Sequence, residues 1–96
     1  MTELQKFYDK RSKMLEEWKK YPDYFGKNKK IGKNKITLIG GKDRGATILI
    51  YSHLSNKDEY LNTFDEVNFM EWSNAVEEYN SIKSSKDILK LIERNQ

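Results

Sequence analysis

The sequence contains no cysteine, a single histidine and a single proline among its 96 residues. Without cysteine the chain has no disulfide framework, no thiolate metal site and no thiol nucleophile, which argues against a small secreted scaffold. No apolar run approaches the roughly 20 residues that cross a bilayer, and the first residues lack the basic-then-apolar order of a signal peptide. These absences predict a cytoplasmic protein with no membrane partner, and the length of 96 residues predicts a single domain, residues 1–96.

Catalytic chemistry has little support in this composition. His53 is the only imidazole, and it stands near the end of a predicted strand, where a half-exposed structural role is expected. Acid pairs such as Glu77 and Glu78 are helix neighbours whose side chains point apart, so they do not form a two-carboxylate site. The segment 40–47 lacks the Gly-Lys-Ser/Thr ending of a phosphate-binding loop. The sequence therefore predicts a protein that is not an enzyme and has no metal or other cofactor.

Charge is distributed unevenly along the chain. The net charge of +3 arises from thirteen Lys and Arg against six Asp and Glu in residues 1–45, and five against nine in residues 46–96. Such asymmetry between halves is a hint of contact with nucleic acid or another polyanion. We therefore expect the basic half to contain the binding surface.

The N-terminal segment has the pattern of a capped helix. Thr2 followed by Gln5 fits a capping box, and apolar residues recur at three- and four-residue spacing until Pro22. This spacing predicts a helix over residues 3–20. Four of its lysines fall together on the side opposite the apolar residues: Lys6, Lys10, Lys13 and Lys20. Arg11 is the exception, because it falls among the apolar residues. Either its stem packs there while the guanidinium extends to solvent or to an acid, or the side chain contacts a partner.

The next part of the chain combines glycine, lysine and β-branched residues. Residues 35–39 and 46–53 are strand-like and flank a glycine-rich turn over 40–45, so they predict a hairpin with a cationic tip. Residues 21–34 predict a lysine-rich loop. Three aromatic residues interleave with the start of that loop, a combination typical of single-strand stacking: Tyr21, Tyr24 and Phe25.

The second half predicts one further strand and two helices. A turn is expected over residues 55–58 and a third strand over 59–64. Asn68 resembles the start of a helix over 69–82, and Ser84 with Asp87 three positions later indicates a last helix over 85–94. The predicted class is α+β, in the order α-β-β-β-α-α, with a three-stranded antiparallel meander packed by the N-terminal and C-terminal helices.

The leading hypothesis is a small, non-enzymatic DNA-binding protein of a mobile genetic element, a plasmid or a phage, that contacts the phosphate backbone of duplex DNA. Double-stranded RNA is a close alternative. Arg44 is the basic side chain of the hairpin tip with the geometry to contact a guanine edge. The predicted contacts lie in the helix, the loop and the hairpin: Lys10, Lys13, Lys27, Lys29, Lys30, Lys33, Lys35, Lys42, Arg44 and Thr47.

A second hypothesis belongs to a different class of function. The chain is then an inhibitor that binds a host defence enzyme, of the anti-CRISPR or anti-restriction type, through its acidic half. The carboxylates that would contact such a partner are Asp65, Glu66, Glu77 and Glu78. A structural module, or a dimer that completes a small core, is a third hypothesis.

Overall fold

The computed structural model describes residues 2–56 and 59–95 of the chain. No helix in these residues is both long enough and apolar enough to span a membrane. The α+β class is confirmed, but the sheet has four strands where the sequence predicts three. The elements follow one another as α1 (Glu3–Trp18), β1 (Tyr24–Ile31), β2 (Asn34–Gly41), β3 (Gly45–Asn56), β4 (Glu59–Phe69), α2 (Trp72–Ser81) and α3 (Ser85–Arg94).

The four strands form an antiparallel meander in the order β1-β2-β3-β4, so β1 and β4 are its edges. Helix α1 covers one face of the sheet, which we call the α1 face, and α2 with α3 covers the other, the α2/α3 face. Successive residues of a strand point to opposite faces. Because the central strands β2 and β3 are covered on both faces, the segments 36–39 and 48–51 are almost continuously apolar and buried.

Each face has its own core. On the α1 face, Phe7 and Met14 pack against the sheet residues Ile39, Leu49 and Tyr51. The core of the α2/α3 face is larger and brings strand residues together with both C-terminal helices: Ile36, Leu38, Ala46, Ile48, Ile50, Val67, Ala75, Tyr79, Ile82, Ile88 and Leu91. The fold therefore has three layers, with the sheet in the middle.

The prediction of a loop over residues 21–34 is wrong, because most of this segment is strand β1. It pairs with β2 along its whole length, from Tyr24 opposite Gly41 to Ile31 opposite Asn34. A two-residue turn joins the two strands, and Gly32 at its first position has a φ of +61°, as a type II′ hairpin turn requires. Lysines are well tolerated in β1 because it is an edge strand with exposed side chains, where charge also discourages pairing with other chains.

The predicted hairpin over 35–53 is confirmed as β2 and β3. The backbone N–H of Arg44 donates to the carbonyl of Gly41 at 3.1 Å, which closes the turn. Gly45 follows with a φ of +83°. A β-carbon at Gly45 would lie 2.4 Å from the carbonyl oxygen of Phe69, so both the backbone conformation and the close approach of β4 require glycine here.

The C-terminal elements differ from the prediction mainly in their boundaries. The third predicted strand is β4, which continues to Phe69, so a helix start at Asn68 is wrong. Helix α2 begins at Trp72, after Glu71, whose side chain makes no capping hydrogen bond. In the turn expected over 55–58, residues 57 and 58 lie outside the described residues, while Ser55 and Asn56 belong to β3. Helix α1 likewise ends at Trp18, two residues earlier than expected.

Both predicted capping boxes are present. At the start of α1 the backbone N–H of Gln5 donates to Thr2 Oγ1 at 3.1 Å, and the Thr2 N–H donates to Gln5 Oε1 at 2.9 Å. At the start of α3, Asp87 Oδ2 accepts from the backbone N–H groups of Lys83 at 2.9 Å and Ser84 at 3.1 Å. These bonds satisfy backbone amides at the start of each helix, and just before α3, that have no helical acceptor.

The cap of α3 predicts a dependence of stability on pH. The hydrogen bond from the Lys83 backbone N–H is the main cause that lowers the pKa of the Asp87 carboxyl. Ser84 and Lys90 lower this pKa further, whereas desolvation raises it. A carboxyl with a lower pKa in the folded chain stabilises the fold above its unfolded pKa, and this contribution is lost as the pH falls through the folded pKa. We expect the urea concentration at the unfolding midpoint to decrease as the pH is lowered from about 6 to about 3. The Asp87→Asn variant should show a smaller decrease. An unchanged pH dependence in the variant would contradict this role.

Candidate nucleic-acid interface

A groove of about 410 Å³ lies on the α1 face, between α1 and the first two strands. The antiparallel register places Asn28 of β1 opposite Thr37 of β2, and Lys30 opposite Lys35. Directly opposed residues share a face, so all four side chains belong to the side of the sheet that α1 covers. The helix contributes its own side chains to the wall of the groove, among them Arg11.

Neutral groups hold the Arg11 guanidinium in this groove. Its carbon lies 4.8 Å from the ring centroid of Tyr8 and 5.7 Å from that of Phe7. Its Nη1 donates to Asn28 Oδ1 at 3.3 Å, and the same oxygen accepts from Thr37 Oγ1 at 2.6 Å. Because the guanidinium has five N–H donors, this arrangement orients Arg11 and leaves donors for a ligand.

Lys30 and Lys35 form a like-charge pair across the two strands. Like charges directly opposite each other destabilise a sheet. The described residues that line the groove include no Asp or Glu to offset this repulsion. Lys29 also lines the groove, although its ammonium lies on the opposite face. Positive charge is therefore concentrated where a bound anion would relieve the repulsion.

The structure separates the predicted basic contacts instead of joining them in one surface. Lys30 and Lys35 lie at one end of β2, and Lys33 lies in the turn that precedes it. Lys42 lies in the turn after β2, seven residues beyond Lys35, or roughly 23 Å along the strand. The hairpin tip and the groove are therefore at opposite ends of the sheet.

Arg44 has a structural role at the hairpin tip. Its guanidinium lies 4.1 Å from the ring centroid of Tyr21 and forms an ion pair with Asp23. The Asp43 backbone N–H donates to the other oxygen of Asp23 at 3.4 Å. These contacts fasten the tip to the connection between α1 and β1. The sequence-based role for Arg44, reading a guanine edge, would require this ion pair to open.

Other predicted contacts are also engaged within the protein. Lys10 Nζ lies 3.4 Å from a Glu66 oxygen, and Lys13 Nζ lies 3.3 Å from Asp9. Thr47 is buried, and its hydroxyl donates to Asn68 Oδ1 at 2.7 Å. Lys27 is exposed on the α2/α3 face of the edge strand β1.

Lys29 caps the C-terminal end of α2. Its ammonium donates to the carbonyl oxygens of Tyr79 and Ile82, the second at 2.8 Å, and lies 4.2 Å from the Tyr79 ring centroid. Burial is the main cause that lowers the pKa of this ammonium, and repulsion from Lys27 and Lys83 lowers it further. The carboxylate of Asp87 raises it. Burial also raises the pKa of the Tyr79 hydroxyl.

The acidic residues expected to face a protein partner do not share one face. Glu66 lies on the α1 face opposite Leu49, and Asp65, as its strand neighbour, belongs to the other face. Glu66 is paired with Lys10, and Glu78 accepts from Arg94 at 2.9 Å. Binding of an inhibited enzyme through Asp65, Glu66, Glu77 and Glu78 stays a prediction.

The described part of the chain shows no metal site, and its imidazole, His53, belongs to β3. His53 lies half-buried in β3, and its Nδ1 is 2.6 Å from Asn62 Oδ1. No three His, Cys, Asp or Glu side chains within residues 2–56 and 59–95 group closely enough to hold a metal ion.

Comparison of the chain with protein-family models, with curated proteins and with solved structures found no match. The three strand lysines of the groove lining, Lys29, Lys30 and Lys35, are all among the predicted contacts. In the sequence, Arg11 stands out only as a charge on an apolar helix face, and no motif marks Tyr8 or Asn28 as groove residues. Their proximity depends on the pairing of β1 with β2.

Proposed function

We propose that this chain is a small DNA-binding protein, without enzymatic activity, that holds the phosphate backbone in the groove between α1 and β1. The observation that carries the proposal is the cross-strand pair Lys30 and Lys35, with Arg11 beside it and no acid in the described lining. Lys and Arg contacts to phosphate supply most of the affinity of non-specific DNA binding.

The neutral groups of the groove fit the same ligand. Asn28 accepts two hydrogen bonds through Oδ1, so its amide nitrogen is oriented as a further donor. Asn, Thr and Tyr side chains commonly join Lys and Arg in phosphate contacts. Arg11 offers the planar fork that matches a phosphate, and the two lysines act as mobile point charges. A bound phosphate would also offset the repulsion between Lys30 and Lys35.

Binding of labelled oligonucleotides over a salt series tests the proposal. We assume that Arg11, Lys30 and Lys35 each neutralise one phosphate. The logarithm of the binding constant should then fall by about 2 to 3 per tenfold rise in salt concentration, since each contact contributes about 0.7 for single strands and 0.9 for duplexes. Fluorescence anisotropy with the full chain measures this slope. Failure of both single-stranded and duplex probes to bind at low salt would reject the function.

A further inference from the structure

One aromatic residue from the start of the predicted loop remains on the surface. Tyr21 is covered by Arg44 and by Trp18, whose ring centroid is 5.4 Å away, and Tyr24 packs against the core of the α1 face. Phe25 is 43% exposed. Its ring meets that of Trp72 edge to face, with centroids 5.1 Å apart and an interplanar angle of 78°. Trp72 is half-buried, because it also packs against the core of the α2/α3 face. We call these two rings the aromatic pair.

Cations and a further apolar side chain accompany the aromatic pair. Lys27 follows Phe25 by two residues on the same face of β1, and Lys42 lies in the turn just after Gly41, close to the start of β1. Met70, just before α2, is 97% exposed. An exposed ring with lysines beside it is the combination on which the bases of single-stranded nucleic acids stack.

The groove and the aromatic pair lie on opposite faces of the same edge strand. Phe25 belongs to the α2/α3 face and Lys30 to the α1 face, five residues or roughly 17 Å apart along β1. A ligand that contacts both has to bend around the edge of the sheet. Duplex DNA has a persistence length of about 150 base pairs and cannot do so at this scale, whereas a single strand can.

We propose that the ligand of this protein is single-stranded DNA, which crosses the edge of β1 with its phosphates in the groove and its bases stacked on the rings of the aromatic pair, Phe25 and Trp72. This inference rests on the proposed function, because the groove supplies the electrostatic part of the binding. The aromatic pair adds the stacking part, which favours no particular sequence because every base has a π-face.

Tryptophan fluorescence can detect the stacked base directly. The chain has two tryptophans, so Trp18→Phe leaves Trp72 as the only one, and Trp72→Phe leaves Trp18. On titration with an oligothymidylate of about 15 nucleotides, we expect strong quenching in the Trp18→Phe protein. The Trp72→Phe protein should show almost none, because Trp18 lies against Tyr21 and the core of the α1 face.

Substitution of Phe25 tests the contribution of stacking to affinity. We expect Phe25→Ala to weaken binding of the oligothymidylate by about tenfold, and Phe25→Leu to weaken it nearly as much, because leucine keeps an apolar contact with Trp72 but has no ring face. Leu89→Ala is the matched control, since Leu89 is 39% exposed on α3. Its affinity should equal that of the wild type.

The outcomes separate this inference from the proposed function. If the oligothymidylate binds and Lys30→Glu weakens it, but Trp72 fluorescence does not change and Phe25→Ala behaves like Leu89→Ala, the stacking inference is wrong and the function stands. Tighter binding of a duplex of equal length would also overturn it. If no oligonucleotide binds at low salt, the function itself fails.

Discussion

The variant Lys30→Glu/Lys35→Glu should bind the oligothymidylate about 100-fold more weakly than the wild type at about 0.1 M salt. Each phosphate contact contributes about 0.7 to the slope of log K against log salt concentration, so it raises the affinity roughly fivefold when salt is lowered from about 1 M to about 0.1 M. Loss of two such contacts therefore weakens binding about 25-fold. The two introduced carboxylates also repel phosphate and attract Arg11, which adds to the loss. Anisotropy titrations measure the affinity.

A matched control distinguishes the groove from the overall charge of the protein. Lys86 and Lys90 are exposed on α3, so Lys86→Glu/Lys90→Glu changes the net charge by the same amount away from the groove. We expect this variant to keep its affinity within about threefold. Equal losses in the two double variants would show that net charge, and not the groove, determines binding.

The single variant Lys30→Glu should change stability and binding in opposite directions. It places a carboxylate directly opposite Lys35, and such cross-strand pairs contribute about 0.2 to 1 kcal/mol. We therefore expect a small rise in the free energy of unfolding together with weaker DNA binding. This combination is typical of a site kept for function at some cost in stability. A variant that loses both together would indicate that Lys30 has a structural role.

The parts of the fold that follow from local signals are predictable from the sequence. Helices α1 and α3 have capping boxes and helical spacing, and the β2–β3 hairpin has β-branched strands around a glycine turn. Strand β1 is not predicted by the sequence, because its exposed lysines hide the alternation that marks a strand. The available signal was the pair Gly32-Lys33 between Ile31 and Asn34, which has glycine where a type II′ turn needs it.

The binding surface was harder to predict than the fold. A lysine-rich loop could bring all its charges to the hairpin tip, but a strand fixes them by register and face. Pairing of β1 with β2 puts Lys30 beside Lys35 and sends Lys29, its immediate neighbour, to the other side of the sheet. The ion pair of Arg44 with Asp23 joins segments 21 residues apart. Neither the faces that Lys29 and Lys30 take nor the ion pair of Arg44 with Asp23 can be derived from the spacing of these residues along the chain.

Replacement of Lys29 should reduce stability without reducing DNA binding. In the Lys29→Met variant the side-chain stem remains, but the carbonyls of Tyr79 and Ile82 lose their charged donor at the end of α2 where the helix dipole is negative. Hydrogen bonds to charged groups contribute about 1.5 to 3 kcal/mol, and removing this partly buried charge returns part of its desolvation cost. We expect the free energy of unfolding to fall by about 2 kcal/mol.

Lys27→Met is the matched comparison for this variant. Lys27 is an exposed lysine on the same face of the same strand, and its Nζ lies 6.0 Å from the Tyr79 ring centroid. We expect its removal to change the free energy of unfolding by less than about 0.5 kcal/mol, as for most surface substitutions. In urea unfolding, Lys29→Met should therefore be the less stable variant, while its affinity for the oligothymidylate stays close to that of the wild type. If Lys29→Met instead lost affinity with unchanged stability, its ammonium would be a DNA contact, and the capping geometry would not describe its role.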